Sequence, residues 1–231
     1  RYPYPMKNSS RPSSPRGRVE WLYMLGLLSL VLLFLFRSSL LSGKILFSND
    51  GPLGAIAAAP FRLPDLFFGG WYDLNSLGYQ ATGSPNLSQA LRWLIGPVMF
   101  AKFYTPLALL LLGVGAWSFF RQLRLTSVAC LFGALAATLN SGFFSAAAWG
   151  MAPHTVTVAT TFLAMAALAD PTSSRSWLRT VLAGLAVGMG IMEGADVGAL
   201  FSIVVAAFVV HQAFAKQGSF TNKLTQASGR L

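Results

Sequence analysis

Long apolar runs, separated by short polar connections, constrain this chain more than any other feature of its sequence. A helix needs roughly 20 apolar residues to cross a hydrocarbon core about 30 Å thick. Of the 231 residues 54% are hydrophobic and only 10% are charged, whereas soluble domains carry about 25% charged residues. Lipid is therefore the expected solvent for most of the surface. The sequence predicts an all-α, polytopic integral membrane protein.

The runs predict about six transmembrane helices within a membrane domain at residues 19–215. A kinked or interfacial segment at Gly96–Pro97 is expected to precede the second span, because neither residue suits a helix interior. Residues 1–18 predict a flexible basic tail, and residues 216–231 predict a second tail. The predicted spans are residues 21–41, 104–120, 125–140, 152–169, 178–192 and 197–214.

The charge distribution predicts that both termini are cytoplasmic. Most of the 17 basic residues fall on connections assigned to the inside, as the positive-inside rule requires. The excess of basic residues is thus explained by topology, and no nucleic-acid partner is expected. Acidic residues contribute little to orientation, so their gathering on the outer side indicates a functional site. They are Asp50, Asp65, Asp73, Glu193 and Asp196.

The outer loop between the first two spans, residues 42–90, is predicted to contain short interfacial helices at 53–61 and 63–69. Ser84 is the expected cap of the helix that follows. Asp50 lies between Asn49 and Gly51. Its carboxylate could act as a general base or as a ligand of a divalent cation, or the Asn–Asp pair forms only a turn.

Other polar residues are candidates for a supporting role around such a site. Glu193 and Asp196 occupy a tight turn at membrane level, where ionisable groups usually face a cavity or a partner; the alternative is that both are solvated. His154 is a candidate metal ligand or proton carrier, or it only packs at the interface. Asp73 lies in an acidic and aromatic stretch typical of sugar binding, or it caps a helix.

Two arginines of the outer segments, Arg62 and Arg92, could bind a lipid phosphate, or they extend to the headgroups. The single cysteine, Cys130, excludes an internal disulfide. No nucleotide-binding loop, HExxH or GxSxG motif is present. ATP hydrolysis, zinc proteolysis and serine-esterase chemistry are therefore not supported. Glycines at four-residue spacing predict close helix packing: Gly184 and Gly188, then Gly190, Gly194 and Gly198.

Several stretches resemble the N-terminal membrane half of bacterial YfhO-like proteins, over about residues 21–214. They are FSNDGPLG after the first span, the acidic and aromatic outer loop, LNSGFFSAAAWGMAPHTV, and LRTVLAGLAVGMGIMEGADVGALF. That family is similar to C-type membrane glycosyltransferases. The resemblance implies an enzyme of the bacterial inner membrane that uses a polyprenyl-phosphate-linked sugar at the outer face. Asp50 would be its base or metal ligand, which makes a divalent cation the candidate cofactor.

Two other functions fit the same sequence. One is a non-catalytic scaffold that docks to other membrane subunits through its close-packing glycines. The other is a transporter subunit in which Glu193 and Asp196 are intramembrane proton or cation sites, although no internal repeat supports it. Membrane lipids are expected to surround the protein in each case.

Overall fold

A computed structural model describes residues 15–58, 70–72, 79–81, 86–170 and 175–215 of the chain. Over these residues the protein is almost entirely helical, which confirms the predicted all-α class. The two predicted tails lie mostly outside the described residues. The helices are α1 (Pro15–Leu35), α2 (Arg37–Leu40), α3 (Leu53–Ala58), α4 (Leu87–Gln122), α5 (Ser127–Thr138), α6 (Ser141–Ala146), α7 (Ala152–Leu168), α8 (Ser176–Glu193) and α9 (Ala195–Ala215).

Two details of the connections were not predicted. The connection between the predicted spans at residues 125–140 and 152–169 is helical: α6 continues through a π-helical turn, Ala147–Met151, into α7. Within the outer loop, two three-residue strands, β1 (Gly70–Tyr72) and β2 (Tyr79–Ala81), pair in antiparallel register. Of the two predicted interfacial helices, the first is observed as α3, whereas residues 63–69 lie outside the described part of the chain.

Three helical segments of the described residues are long and apolar enough to cross a membrane. They are Leu87–Gln122, Ser141–Leu168 and Ala195–Ala215. Val19–Leu35 and Ser127–Thr138 are apolar but shorter. Large apolar side chains remain exposed on the outside of α9, with Leu200 and Ile203 each 66% exposed. These features are typical of a membrane protein, but they confirm three helices of spanning length and not the six predicted.

Helices α4 and α7 form the centre of the fold. α7 packs against α4, α8 and α9, and α4 also contacts α1 and α5. α4 changes direction at Gly96, where φ is 76° and ψ is 168°, because Pro97 supplies no N–H to the helix. The kink predicted at Gly96–Pro97 is therefore confirmed. It separates a short N-terminal part of α4 from the long apolar part that follows.

The buried threonine hydroxyls of α7 are hydrogen-bonded, one of them to α8 and two within α7 itself. Thr157 donates to the carbonyl of Gly190 in α8 at 3.0 Å. Thr160 and Thr161 each donate to the carbonyl of Thr157, at 2.8 and 3.0 Å. Buried hydroxyls need such partners because an unpaired one costs about 1–3 kcal/mol. The result is a polar seam between α7 and α8 in an otherwise apolar interior.

Helix α1 packs along one side of this core. Met24, Leu28 and Leu32 are buried at four-residue spacing, followed by Phe36, and this spacing places them on one helix face. The helix begins at Pro15 and ends at Leu35. The first predicted span, residues 21–41, is thus broken at Phe36, and the observed helix begins at Pro15, within the predicted tail.

The close-packing glycines behave differently along α8 and α9. A Cβ atom on Gly198 would lie 2.5 Å from the Cα of Ile191, and one on Gly190 would lie 2.8 Å from the hydroxyl of Thr160. These two positions confirm the predicted close approach. Gly184 and Gly188 have no described atom within 4 Å of such a Cβ. Gly184 and Gly188 therefore pack against no other helix of the described chain.

Basic residues join the helix ends that lie farthest from the outer loop. Arg121, at the end of α4, forms an ion pair with Glu20 of α1 at 3.0 Å. Arg179 donates to the carbonyls of Ala166 and Ala167 and to the amide of Gln122. These contacts hold α1, α4, α7 and α8 together at one end of the molecule.

Candidate functional site

A cavity of about 300 Å³ lies at the other end of the molecule, between α4, the start of α7 and residues 46–56. Its wall mixes apolar side chains with a carboxylate, a guanidinium, amides and hydroxyls. Such a mixture can hold a polar ligand in a defined orientation. The polar side chains on this wall include those of Ser48, Asp50, Ser88, Gln89, Arg92 and Tyr104.

Asp50 is held at the cavity by contact with the π-helical turn. Its backbone N–H donates to the carbonyl of Trp149 at 3.0 Å, and the N–H of Gly51 donates to the hydroxyl of Ser48 at 3.1 Å. Gly150 has a φ of 118°, and a Cβ there would lie 2.8 Å from the Gly51 nitrogen. Only glycine suits both that dihedral angle and that approach. Gly150 therefore allows the backbone at Asp50 to pack against the π-helical turn, while the Asp50 carboxylate stays exposed.

Arg92 brings positive charge to the same cavity from the N-terminal part of α4. It is half-buried, and its guanidinium donates to the side-chain oxygen of Gln89, one turn earlier. The structure therefore brings together two of the predicted site residues, Asp50 and Arg92, from stretches about 40 positions apart in the sequence.

Glu193, at the C-terminal end of α8, is 8% exposed and lies behind the cavity wall. The backbone N–H of Ser88 donates to its Oε1 at 2.8 Å, and the Ser88 hydroxyl contacts its Oε2. Ser88 is the second residue of α4, where the helix dipole favours a carboxylate. Glu193 follows the predicted span that ends at Met192. Burial raises the pKa of its carboxyl, and the Ser88 hydrogen bonds oppose that effect.

The same turn is tied to α4 by Asn86. This residue caps α4, since its Oδ1 accepts from the N–H of Gln89 at 2.8 Å, and its Nδ2 donates to the carbonyl of Met192 at 3.2 Å. The observed cap is thus Asn86 and not Ser84. One side chain both begins α4 and fixes the end of α8 beside it.

Tyr104 completes a chain of hydroxyls along the cavity wall. Its hydroxyl contacts that of Ser88, and its ring stacks on Phe100 with the centroids 4.3 Å apart. Both Ser88 and Tyr104 line the cavity. Glu193, Ser88 and Tyr104 therefore form a continuous hydrogen-bonded row from the buried carboxyl to the cavity.

The remaining predicted site residues lie elsewhere. His154 is half-buried in the first turn of α7, beside Gly194, while its neighbour Pro153 lines the cavity. Asp196 is exposed in the first turn of α9. Asp73 and Arg62 lie outside the described residues, so their predicted roles remain predictions.

The described part of the chain contains no cluster of ligands for the predicted divalent cation. There, no group of three or more His, Cys, Asp or Glu side chains comes together to hold a metal ion. Among the described residues, Asp50 therefore does not belong to such a cluster.

Sequence reasoning missed Ser88, Tyr104 and Gly150. Ser88 stands at a helix start, and Tyr104 begins an apolar run, so neither position suggested a buried hydrogen bond. Gly150 follows Trp149 in a small-residue stretch between two predicted spans, where no local pattern marks it. The available signal for a buried hydrogen bond was the position of a serine and a tyrosine near the ends of apolar runs.

No protein-family profile, curated protein or solved structure matches the chain. The resemblance to YfhO-like proteins thus remains an expectation from the residues quoted above.

Proposed function

We propose that the chain is a glycosyltransferase-like integral membrane protein that acts on a polyprenyl-phosphate-linked sugar at the outer face of a bacterial inner membrane. One observation carries the proposal. A cavity set among apolar helices presents an acidic side chain, Asp50, and a basic one, Arg92, to the same space. A substrate that combines a phosphate, a sugar and a lipid tail needs those three surroundings together.

The proposed chemistry assigns one role to each charge. The guanidinium of Arg92 binds the phosphate of the donor, because its planar fork matches phosphate oxygens. Asp50 acts as general base and takes the proton of an acceptor hydroxyl. The acceptor oxygen forms a bond to the anomeric carbon of the sugar. The bond from that carbon to the phosphate oxygen breaks, and polyprenyl phosphate leaves with the electron pair.

The proposed topology keeps the six spans and the cytoplasmic termini predicted from the sequence. The three helices of spanning length support part of it. The basic residues Arg121 and Arg179 support its orientation, because they lie at the opposite end of α4 from the cavity. α5 has 12 residues and would extend only about 18 Å. It would span only where the bilayer is locally thin.

The Asp50→Asn variant tests the proposed reaction. Released polyprenyl phosphate would be measured with a polyprenyl-phosphoryl hexose as donor and the full chain in detergent micelles. We expect about 10²–10⁴-fold slower release, the usual contribution of a general base. The melting temperature should be unchanged because the Asp50 side chain is exposed.

Asp196→Asn is the matched control, since Asp196 is also exposed but does not line the cavity. It should release product at the wild-type rate. Wild-type release by Asp50→Asn would refute the assignment of Asp50 as the base.

The open face of α8 favours a second candidate function, a non-catalytic scaffold subunit. A Cβ added to Gly184 or Gly188 would meet no described atom of another element within 4 Å, and Leu185 beside them is 65% exposed. Small residues with this spacing allow another transmembrane helix to approach closely. A scaffold would co-purify with a stoichiometric membrane partner, and Asp50→Asn would leave that association intact.

A further inference from the structure

We propose that the protonation state of Glu193 determines whether the Tyr104 hydroxyl donates or accepts a hydrogen bond at the cavity wall. When Glu193 is protonated, Tyr104 can donate to a phosphate oxygen. The ligand class rests on the proposed function. Glu193 is a positioning residue that does not line the cavity and acts through Ser88 and Tyr104.

The contacts restrict the acceptor to which each hydroxyl can donate its proton. Ser88 Oγ lies between Glu193 Oε2 and the hydroxyl of Tyr104 and is in hydrogen-bond contact with both. Glu193 Oε1 accepts from the N–H of Ser88 at 2.8 Å, whichever state the carboxyl is in. A serine or tyrosine hydroxyl has a single proton to donate. The charge on Glu193 therefore determines the direction in which the hydroxyls of Ser88 and Tyr104 donate their protons.

With Glu193 ionised, both of its oxygens can only accept. The Ser88 hydroxyl must then donate to Oε2, and it accepts the proton of Tyr104. The only proton of Tyr104 points along the row, so Tyr104 offers a lone pair to the cavity. Tyr104 then donates no hydrogen bond to a phosphate oxygen, which is left with the donors on the rest of the wall, such as Arg92.

With Glu193 protonated, the row reverses. The proton, taken from solvent, resides on Oε2 and is donated to Ser88. The Ser88 hydroxyl donates to Tyr104, and the Tyr104 proton becomes available to a ligand in the cavity. Each hydroxyl keeps its own proton and only rotates, so the reversal requires no change in the fold. Binding of a phosphate group is thereby coupled to uptake of one proton.

The surroundings of Glu193 favour the neutral form. Burial is the largest effect on its carboxyl and raises its pKa. Among the described residues, the other titratable or charged side chains at this end of the neighbouring elements are Tyr104, Arg92 and Lys102 on α4, His154 on α7, Asp196 on α9 and Asp50 in the loop. Arg121, Arg179 and His211 lie towards the other ends of these helices. Arg92 keeps its charge at every pH of interest. His154 needs its own control.

The test measures binding of phosphodiesters, because their charge stays constant where Glu193 titrates. One arm uses a polyprenyl-phosphoryl hexose in micelles, and the other uses dimethyl phosphate in water; comparison of the two distinguishes a lipid-linked ligand from a free one. The dissociation constant of the full chain is measured from about pH 5 to about pH 8. We expect wild-type binding to weaken with rising pH, by up to about tenfold per pH unit.

Glu193→Gln mimics the protonated state, since its amide donates to Ser88 Oγ and its carbonyl accepts from the Ser88 N–H. It should bind as tightly as wild type does at low pH and lose the pH dependence. Tyr104→Phe, which lacks the terminal donor, should bind weakly at every pH. His154→Gln should keep the wild-type profile.

Wild-type pH dependence in Glu193→Gln, or its loss in His154→Gln, would overturn the role of Glu193. A purely structural Glu193 would shift affinity by the same factor at all pH values. These results are independent of Asp50, so the assignment of the base can fail while the row of hydroxyls stands. Failure of wild type to bind either phosphodiester would remove the ligand class that both proposals share.

Discussion

At the scale of single residues, a glycine and a buried carboxyl position the groups that face the cavity. Gly150 allows residues 48–51 to approach the π-helical turn, and Glu193 holds the start of α4 through Ser88. Neither residue needs to touch a ligand. Their substitutions should therefore affect the site by displacing its parts.

Gly150→Ala is expected to destabilise the protein and to impair the cavity. The φ of 118° is strained for alanine, and its Cβ would lie 2.8 Å from the Gly51 nitrogen and 2.9 Å from the Ser48 hydroxyl. Strain of this kind costs about 1–3 kcal/mol. Equilibrium unfolding in micelles would measure the loss, and donor hydrolysis or transfer should fall with it.

Gly184→Ala is the matched control for this substitution. The residue is helical, and no described atom lies within 4 Å of the new Cβ. Alanine should leave stability unchanged or raise it by up to about 1 kcal/mol. If the two variants were equally stable, glycine would not be required at position 150 for the packing of residues 48–51.

At the scale of elements, helix packing depends on where small residues meet a neighbour. The α8–α9 hairpin is tight because Gly198 lies directly against the backbone at Gly190 and Ile191. α7 reaches α8 through the Thr157 hydroxyl. One end of this hairpin carries Glu193, so its packing determines whether the carboxyl reaches Ser88.

Gly198→Ala is therefore expected to force α8 and α9 apart. The added Cβ would lie 2.5 Å from Ile191 Cα and 2.6 Å from the Gly190 oxygen, and neither backbone atom can rotate away. Overpacking of this kind costs about 1–3 kcal/mol. Thermal unfolding in micelles would measure the loss. Gly188→Ala, on the open face of α8, should unfold like wild type; a Gly198→Ala variant of undiminished stability would refute the close packing.

At the scale of the whole molecule, charge and cavity occupy opposite ends. The arginines that join α1, α4, α7 and α8 lie at one end, and the cavity with Asp50 lies at the other. In the proposed topology the first end is cytoplasmic and the second is outside. Two exposed residues, Asn49 and Ser176, mark these ends.

Single-cysteine labelling checks this orientation. Cys130 is fully buried and would be replaced by serine, after which Asn49→Cys and Ser176→Cys are introduced separately. A membrane-impermeant maleimide applied to intact cells should label the first variant. The second should react only after the membrane is opened. Labelling of both from the same side would contradict the proposed topology.

Local sequence information was enough to predict the helical class, the kink at Gly96–Pro97 and the use of Gly190 and Gly198 for packing. Each of these follows from chemistry that acts within a few residues of the chain or from an apolar run read as a whole. The extents of the helices were less predictable. The break at Phe36 and the helical path through residues 141–151 depend on contacts with other elements.

The sequence by itself determined that this chain has a largely apolar surface, is helical and carries Asp50 within the loop at residues 42–90 and Arg92 directly after it. Only the tertiary structure decided that these two charges line one cavity, and that Glu193 contacts it through Ser88 and Tyr104. The physical reason is that hydropathy and helix propensity are summed over neighbouring residues. A buried hydrogen bond between residues 105 positions apart exists only once packing has excluded water from both partners.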